Sequence, residues 1–456
     1  MKKIFAVLII WVLFQNKLLA QFEAVSYDFW GNAMALNTNP GASLEYKSVF
    51  AIPFFGNTQV FAGNSAFSPY DLLAENTSFQ KNVPIILSGL KNTDNLLLYI
   101  RYDLANVVWT AANNNVYNIG LYWELYNITY FPADLLRLGY DGNAMHLNDV
   151  FDAKYLASKT DLVQTLYFGI QKRFNNRFTL GYRFKLYNGL ANAQTGGNSG
   201  KLYTTESNNN YYIHHLEDVD INVQTSGYSE HGDTQYYLSK LLLSGNMGLG
   251  TDLGFSFHPN QRTIVTASIL DLGFIYFSKD IKTYSYHGSF QYEGVALQFP
   301  ETGAQDYWQT LKDDFNTHVV KTEGFDSYIS WRPVRFYTSI KYGTDNLKKI
   351  SCEDFVDPKT EYSSYIGLTG FAQVRPIKIY AGASVFYEKK WSKHFYTKLN
   401  LTADNYSFYA LGGAVALNLG RLHFYVTGDN LLSLSDLAKS QKLGLQFGIS
   451  WISFKP

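Results

Sequence analysis

One cysteine in 456 residues, Cys352, excludes an internal disulfide, and its setting in Ser351-Cys352-Glu353-Asp354 reads as an incidental loop position. Net charge is missing as well. The 38 basic residues balance 38 acidic ones, so a polyanion such as nucleic acid finds no electrostatic support. Long hydrophobic runs are also scarce: a helical membrane protein needs stretches of about 20 apolar residues, and none follows the first twenty positions. The nine histidines are scattered, and none sits in a nucleophile motif. The chain is therefore not read as an enzyme, and no cofactor is expected.

What the sequence does have is aromatic residues, 17% of the chain with 36 tyrosines, together with 35 glycines. Mean hydropathy is −0.16 despite 46% hydrophobic content, the average left by many short apolar–polar alternations. At the start, Lys2 and Lys3 precede an uncharged apolar run from Ile4 to Phe14, and Ala20 offers a small residue for cleavage. Residues 1–20 read as a secretory signal peptide, with Gln21 as the first mature residue. No cysteine follows Ala20, so a lipid-modified N-terminus is not expected.

The structural signal is a period of two. Leu180, Tyr182, Phe184 and Leu186 alternate with Thr179, Gly181, Arg183 and Lys185. Met247, Leu249, Leu253, Phe255 and Phe257 alternate with Gly248, Gly250, Asp252, Gly254 and Ser256, and Leu443 to Trp451 repeats the pattern near the end. Successive strand side chains point to opposite faces, so each segment has one apolar and one polar face. Apolar faces about ten residues long match a tilted membrane-crossing strand. Polar faces rich in Gly, Tyr and ionisable groups suit a wet or plugged lumen better than the surface of a soluble sandwich or propeller.

Turn signals count the strands. Asn175-Asn176-Arg177, His258-Pro259-Asn260-Gln261, Arg332-Pro333-Val334, Arg375-Pro376 and Asn418-Leu419-Gly420 each read as a hairpin connection. They join 161–174 with 178–190, 246–257 with 262–276, 326–332 with 335–343, 362–374 with 377–388, and 406–417 with 421–430. A last strand near 440–454 and earlier ones near 46–61, 94–103 and 116–131 make fourteen. The fold class is thus all-β: a transmembrane antiparallel β-barrel of about 14 strands (12–16), with short turns on the periplasmic side. Runs near 282–297 and 394–402 are candidates for strands extended above the membrane. The longer stretches 191–244, 298–324 and 344–361 are expected as polar loops on one side, and 132–160 as a short helix and loop.

Inward-facing charges are expected at Glu124, Arg173, Arg183, Lys185, Asp252 and Glu388, because Arg or Lys facing lipid at mid-depth costs about 2–4 kcal/mol. They serve either a polar path, a docking site for an N-terminal segment, or a lumen filled by its own salt bridges. Trp123, Trp331, Trp391 and Trp451 are candidates for interfacial girdles. His423, alternating with Tyr425 and Thr427, reads as lumen lining. The densest cluster of metal-ligand types is His214-His215-Leu216-Glu217-Asp218-Val219-Asp220. On a strand, His214, Asp218 and Asp220 would share a face. The cluster specifies no metal geometry and reads as hydrated loop, so no metal site is assigned.

Asn32-Ala33, Asn39-Pro40-Gly41, Gly250 to Gly254, Asp271 to Ile275 and Gly428 to Leu432, in that order along the chain, resemble segments of an uncharacterised family of outer-membrane proteins from the Bacteroidota, itself similar to FadL-like and PorP/SprF-like barrels. Asn32-Ala33 and Asn39-Pro40-Gly41 look like the Asn-Pro-Ala hatch motif that precedes the first strand of FadL-like proteins, with Gly41 in place of Ala. Gly250-Thr251-Asp252-Leu253-Gly254 and Asp271-Leu272-Gly273-Phe274-Ile275 look like that family's paired strand motif, and Gly428-Asp429-Asn430-Leu431-Leu432 like its penultimate loop. The resemblance implies a short N-terminal luminal hatch, here residues 21–45, ahead of a barrel over 46–456. It also implies an integral outer-membrane protein in contact with lipid. A FadL-like barrel passes or binds small hydrophobic molecules. A PorP/SprF-like one is a scaffold or accessory for surface-protein secretion or gliding machinery, and a purely structural barrel is the third alternative.

Overall fold

The computed structural model describes residues 24–73, 79–207, 212–228, 240, 244–293, 307–345, 362–403, 409–432 and 436–454. The expected signal peptide, the first hatch residues 21–23 and Cys352 lie outside the described residues. Fourteen wall strands follow one another: β1 (Tyr46–Ala51 and Thr58–Asn64), β2 (Asp94–Thr110), β3 (Val116–Phe131), β4 (Ser158–Arg173), β5 (Phe178–Thr195), β6 (Met247–Phe257) and β7 (Thr263–Phe277). Then come β8 (Tyr328–Trp331 and Arg335–Gly343), β9 (Ser364–Gln373), β10 (Tyr380–Ser392), β11 (Phe395–Ala403), β12 (Ala410–Leu419), β13 (Leu422–Gly428) and β14 (Lys442–Phe454). Each pairs antiparallel with the next. β14 returns to both halves of β1, with Ser450 opposite Ala51 and Phe447 opposite Thr58. The sheet is a closed barrel and has no free edge.

Two departures from the expected pairing cancel in this count. Arg332-Pro333-Val334 is not a hairpin. Tyr328–Trp331 and Arg335–Gly343 both run along β7, with Trp331 opposite Phe274 and Arg335 opposite Leu270, so they are one strand. Pro333 has no N–H for the ladder and interrupts the strand without reversing it. In the other direction, 395–403 is a wall strand that fills the place between β10 and β12. β1 carries a similar interruption. Residues 52–57 bulge out of the wall opposite β14, with Phe54 and Phe55 more than half exposed on the outside.

Burial alternates along the wall as the period of two requires. In Arg335–Gly343, Phe336, Ile340 and Tyr342 face out while Arg335, Tyr337, Ser339 and Lys341 are buried inside. Leu253, Phe184 and Phe447 lie on the exposed outer face, whereas Ser256 and Gln446 are buried within. An apolar outside around a polar inside inverts the usual order of a soluble protein and is the pattern of a membrane barrel. Trp391 and Trp451 face outward near one rim, joined there by Trp109, and Trp331 faces outward in the other half of the wall against Phe274. Trp123 also faces outward but sits mid-strand and half-buried, so it belongs to neither rim.

The two rims differ. At the rim where β1 begins, the connections 111–115, 174–177, 258–262, 393–394 and 420–421 are short, but 344–363 is long. At the opposite rim lie 65–93, 132–157, 196–246 and 278–327, together with the short Arg375-Pro376 turn. The expectation that every long loop shares one side fails at 344–363, and the expectation that the hairpin turns share the other fails at Arg375-Pro376, because loop length alone does not fix the number of wall crossings that precede a loop.

Above the long-loop rim the wall continues upward. Residues 191–244, expected as loop, carry the end of β5 and two further strands. Tyr212–Ser226 pairs with the top of β5, with Ser199–Glu206 and with Ile281–Tyr292, which pairs in turn with Val319–Gly324. The helix Tyr307–His318 leads into this last strand. The helix expected within 132–160 is Ala133–Asp141, and β4 begins earlier than expected, at Ser158.

Candidate functional site

The barrel is filled by its own N-terminal segment. From Ala24 to Ala42 every residue is buried, although only Ala35–Asn37 forms a regular element, a single turn of 3-10 helix. A segment without a ladder must find partners for its backbone elsewhere, and the wall supplies them. Lys398 Nζ donates to Tyr27 O at 2.7 Å, Lys341 Nζ to Asp28 O at 3.1 Å, and Glu388 accepts from Trp30 N at 3.2 Å. Arg183 donates to Leu36 O, Ser268 Oγ to Thr38 O, and Gln171 Nε2 to both Pro40 O and Ala42 O. His423 accepts from Ala33 N through Nε2 and meets Asn418 Oδ1 at 2.7 Å through Nδ1.

At the lower end of this hatch, Asn39-Pro40-Gly41 forms the corner. Asn39 Oδ1 accepts from Gly41 N at 2.8 Å while its Nδ2 donates to Phe255 O. Pro40 fixes its own φ and favours extended backbone before it. A Cβ on Gly41 would stand 2.4 Å from Gly254 O, and one on Gly181 would stand 2.0 Å from Pro40 O. The corner touches the wall at backbone distance and leaves no room for side chains.

Beside the hatch, charge fills the lumen. Asp252 accepts from Lys185 at 2.8 Å and from Arg183 at 3.3 Å; Asp271 accepts from Lys185 and Arg335, each at 2.5 Å. Arg332 bonds Glu124 and reaches Asp161 at 3.0 Å, and Lys159 lies 3.6 Å from Asp161. Asp252 and Asp271 meet because β7 is bulged: Leu272 pairs with Thr251 and Ile269 with Leu253, leaving Leu270 and Asp271 opposite Asp252. Asp271 takes φ +60°, which Asp tolerates better than most residues, and its N–H reaches Asp252 Oδ1 at 2.7 Å.

Five of the six charges expected inward are thus buried and paired: Glu124, Arg183, Lys185, Asp252 and Glu388. Arg173 is not. It has the inward parity but stands at the last position of β4, is exposed, and donates to Asn175 O in the adjoining turn. Sequence reasoning missed Arg101, Asp103, Asp161, Arg332, Arg335, Lys341 and Lys398. Parity along each strand could have found most of them, but Arg332 was hidden by its apparent turn. Of the wet and plugged alternatives for the lumen, the hatch level is plugged: Ser256 is buried and donates to Gly41 O.

A second feature lies outside the barrel. A cavity of about 490 Å³ opens between the long-loop strands and the helix Tyr307–His318, and its surface is almost wholly carbon. Leu202, Leu216, Phe290 and Phe315 supply apolar walls. His214 and His215 line it as well, and their nitrogens are tied to neighbours. Thr204 Oγ1 and Asn143 Nδ2 lie 3.0 Å from His214 Nδ1, and Thr205 Oγ1 lies 2.9 Å from His215 Nε2. Their rings stack on Tyr292 and Tyr203. Burial, with the neighbouring His215 charge, holds His214 below the usual histidine range. Lys312 is the remaining cation at the wall. Asp218 turns away through a bulge at φ +50°, and Asp220 pairs with His287, so these carboxylates and His214 converge on nothing. Among the described residues no group of three His, Cys, Asp or Glu is placed to hold a metal.

A family model described as a family of unknown function (DUF5723) matches residues 40–429. No curated protein matches. Among solved structures, the chain is similar to the Pseudomonas putida toluene transporter TodX, 7% identical, with 96% of this chain and 98% of that one covered at a TM-score of 0.39. It is also similar to a Pseudomonas aeruginosa FadL homologue, 9% identical, with 96% and 100% covered at a TM-score of 0.42.

Proposed function

The chain belongs to the family of unknown function DUF5723, and from its own geometry we propose an outer-membrane barrel that captures small hydrophobic molecules. The cavity above the long-loop rim carries this reading. Its volume, about 490 Å³, suits a small organic ligand, and its carbon surface offers dispersion and burial with few polar demands. In this reading residues 1–20 are removed on export, the short-turn rim faces the periplasm, and the cavity faces outside. Passage inward requires the hatch to move, since residues 24–42 fill the lumen.

The test is binding of an environment-sensitive apolar fluorophore to purified protein in detergent. Phe290→Ala together with Leu216→Asp should weaken it ~10-fold or more, the loss of roughly 1.4 kcal/mol of contact. Unchanged affinity in that variant ends the capture reading. For passage, deleting residues 24–36 should raise solute permeability of reconstituted vesicles above that of the intact protein.

A second reading is favoured by the filled lumen. A barrel whose interior is tied to its own N-terminus serves well as a scaffold for surface secretion or motility proteins. If hatch deletion leaves permeability unchanged while a co-purifying protein partner is lost, this reading replaces the first.

A further inference from the structure

Four buried side chains on four successive wall strands form a row: Arg101 of β2, Tyr122 of β3, Tyr167 of β4 and Arg183 of β5. The Arg101 guanidinium carbon lies 3.8 Å from the centre of the Tyr122 ring, the two tyrosine rings are 6.0 Å apart, and the Arg183 carbon is 4.5 Å from the Tyr167 ring. None is more than 2% exposed. Each carries a polar atom with no protein partner: Arg101 Nη2, Tyr122 OH, Tyr167 OH and Arg183 Nε. Thr165 Oγ1, directly cross-strand from Tyr122, is a fifth. The Tyr167 hydroxyl rests over Gly120, where a Cβ would stand 2.4 Å from it, so it lies against the inner face of β3 on the same side as Tyr122.

All five of these groups can donate a hydrogen bond. A cluster of buried donors without protein partners calls for a bound water or ion to accept from them. The surrounding charge indicates which kind. In the network containing this row, six cations (Arg101, Lys159, Arg183, Lys185, Arg332, Arg335) stand among five carboxylates (Asp103, Glu124, Asp161, Asp252, Asp271), counting the described residues. The neighbouring buried group is balanced, with Lys341 and Lys398 beside Asp28 and Glu388. Water can accept from the free donors but leaves the excess positive charge in place, and an uncompensated buried charge is strongly unfavourable.

We propose that the row binds one small monovalent inorganic anion of chloride size, held by the free donors of Arg101, Tyr122, Tyr167 and Arg183. The site bears on the hatch. Arg183 also donates to Leu36 O, and Arg101 fixes Asp103, whose other oxygen accepts from Asn37 Nδ2 at 3.1 Å. A bound anion therefore secures the two arginines that grip the 3-10 turn, and its loss loosens the hatch. The site is independent of the apolar cavity.

The experiment uses the full-length protein in detergent, melted in potassium chloride, potassium bromide and potassium gluconate at equal ionic strength. Halide should raise the melting temperature saturably, by ~2 °C or more, as a ligand of the folded state does. The double variant Tyr122→Phe/Tyr167→Phe removes two donors with little change of shape, and should weaken halide affinity ~10-fold while leaving fluorophore binding at the cavity intact. Crystals soaked in bromide should give an anomalous peak beside Tyr122 and Tyr167. Coincident melts in halide and gluconate, full halide dependence in the double variant, or a bromide peak elsewhere with water in the row would each overturn the proposal.

Discussion

The lumen and the cavity above it are both lined by aromatic residues, yet they are built in opposite ways. In the lumen, tyrosines alternate with charges, and carboxylates such as Asp271 are shared between cations on different strands. In the cavity, Leu216, Phe290 and Phe315 present carbon, and the histidines turn their nitrogens away to Thr204, Asn143 and Thr205. A buried polar network is strong only when its members are matched, and it then fixes one arrangement. An apolar hollow imposes no such matching and accepts guests by shape. The lumen holds a segment of the chain itself, and the cavity is free to hold something else.

The sharpest way to break this contrast is to remove a joint of the network. Asp271→Ala should cost ~3–5 kcal/mol, because buried Arg335 loses the carboxylate that two of its nitrogens bind and buried Lys185 keeps only Asp252. Unfolding followed by heat-modifiable gel mobility should show it, whereas Phe290→Ala in the cavity should leave the folding transition within ~1 kcal/mol. Equal losses would mean that the cavity is part of the core.

Next in size are substitutions on the outer face. Leu253→Arg, Phe184→Arg or Phe447→Arg should each cost ~2–4 kcal/mol in a bilayer, against little for Asn176→Arg in an exposed turn. Ser256 is not a neutral control. Arg there would displace Gly41 and the hatch corner, so it should impair folding as well, although for a different reason.

The wall was readable because its information is local. Alternation at Leu180–Leu186 or Met247–Phe257 needs no partner to be recognised, and Arg183, Lys185 and Asp252, at its polar positions, are buried. What failed was information carried across strands. Around Arg332-Pro333 a broken strand and a hairpin look alike in one dimension, and only the pairing of β7 with both halves separates them. Lys341 and Lys398 stand at inward positions, but Lys398 and in part Lys341 bond a hatch segment with no period to read, and the Lys341–Glu388 pair joins two strands far apart in sequence. The cavity was illegible for a stronger reason. Leu202, Leu216, Phe290 and Phe315 come from four separate stretches, and no spacing announces that they meet.

The smallest effect sharpens the contrast from the cavity side. Burial and His215 keep His214 neutral below the ordinary histidine range. Apolar-ligand affinity should therefore be level above about pH 6.5, the unperturbed value, and fall on acidification once His214 takes a proton against its depressed pKa. The same sign applies to stability: a contribution present above the unfolded pKa is lost as pH falls through the folded one. His214→Phe should flatten the part of the binding curve due to this ring, while His215 and Lys312 stay as they are. A profile unchanged by that substitution would assign the dependence to another group.

Ala24 lies wholly buried among Tyr126, Tyr337 and Tyr380, deep inside a wall whose first and last strands are joined. Followed back from the rim where β1 begins, the chain runs inside that enclosure as far as Ala24. Assembly is therefore ordered in time: the seam between β1 and β14 has to zip around a segment already in place, or the segment has to thread a finished ring.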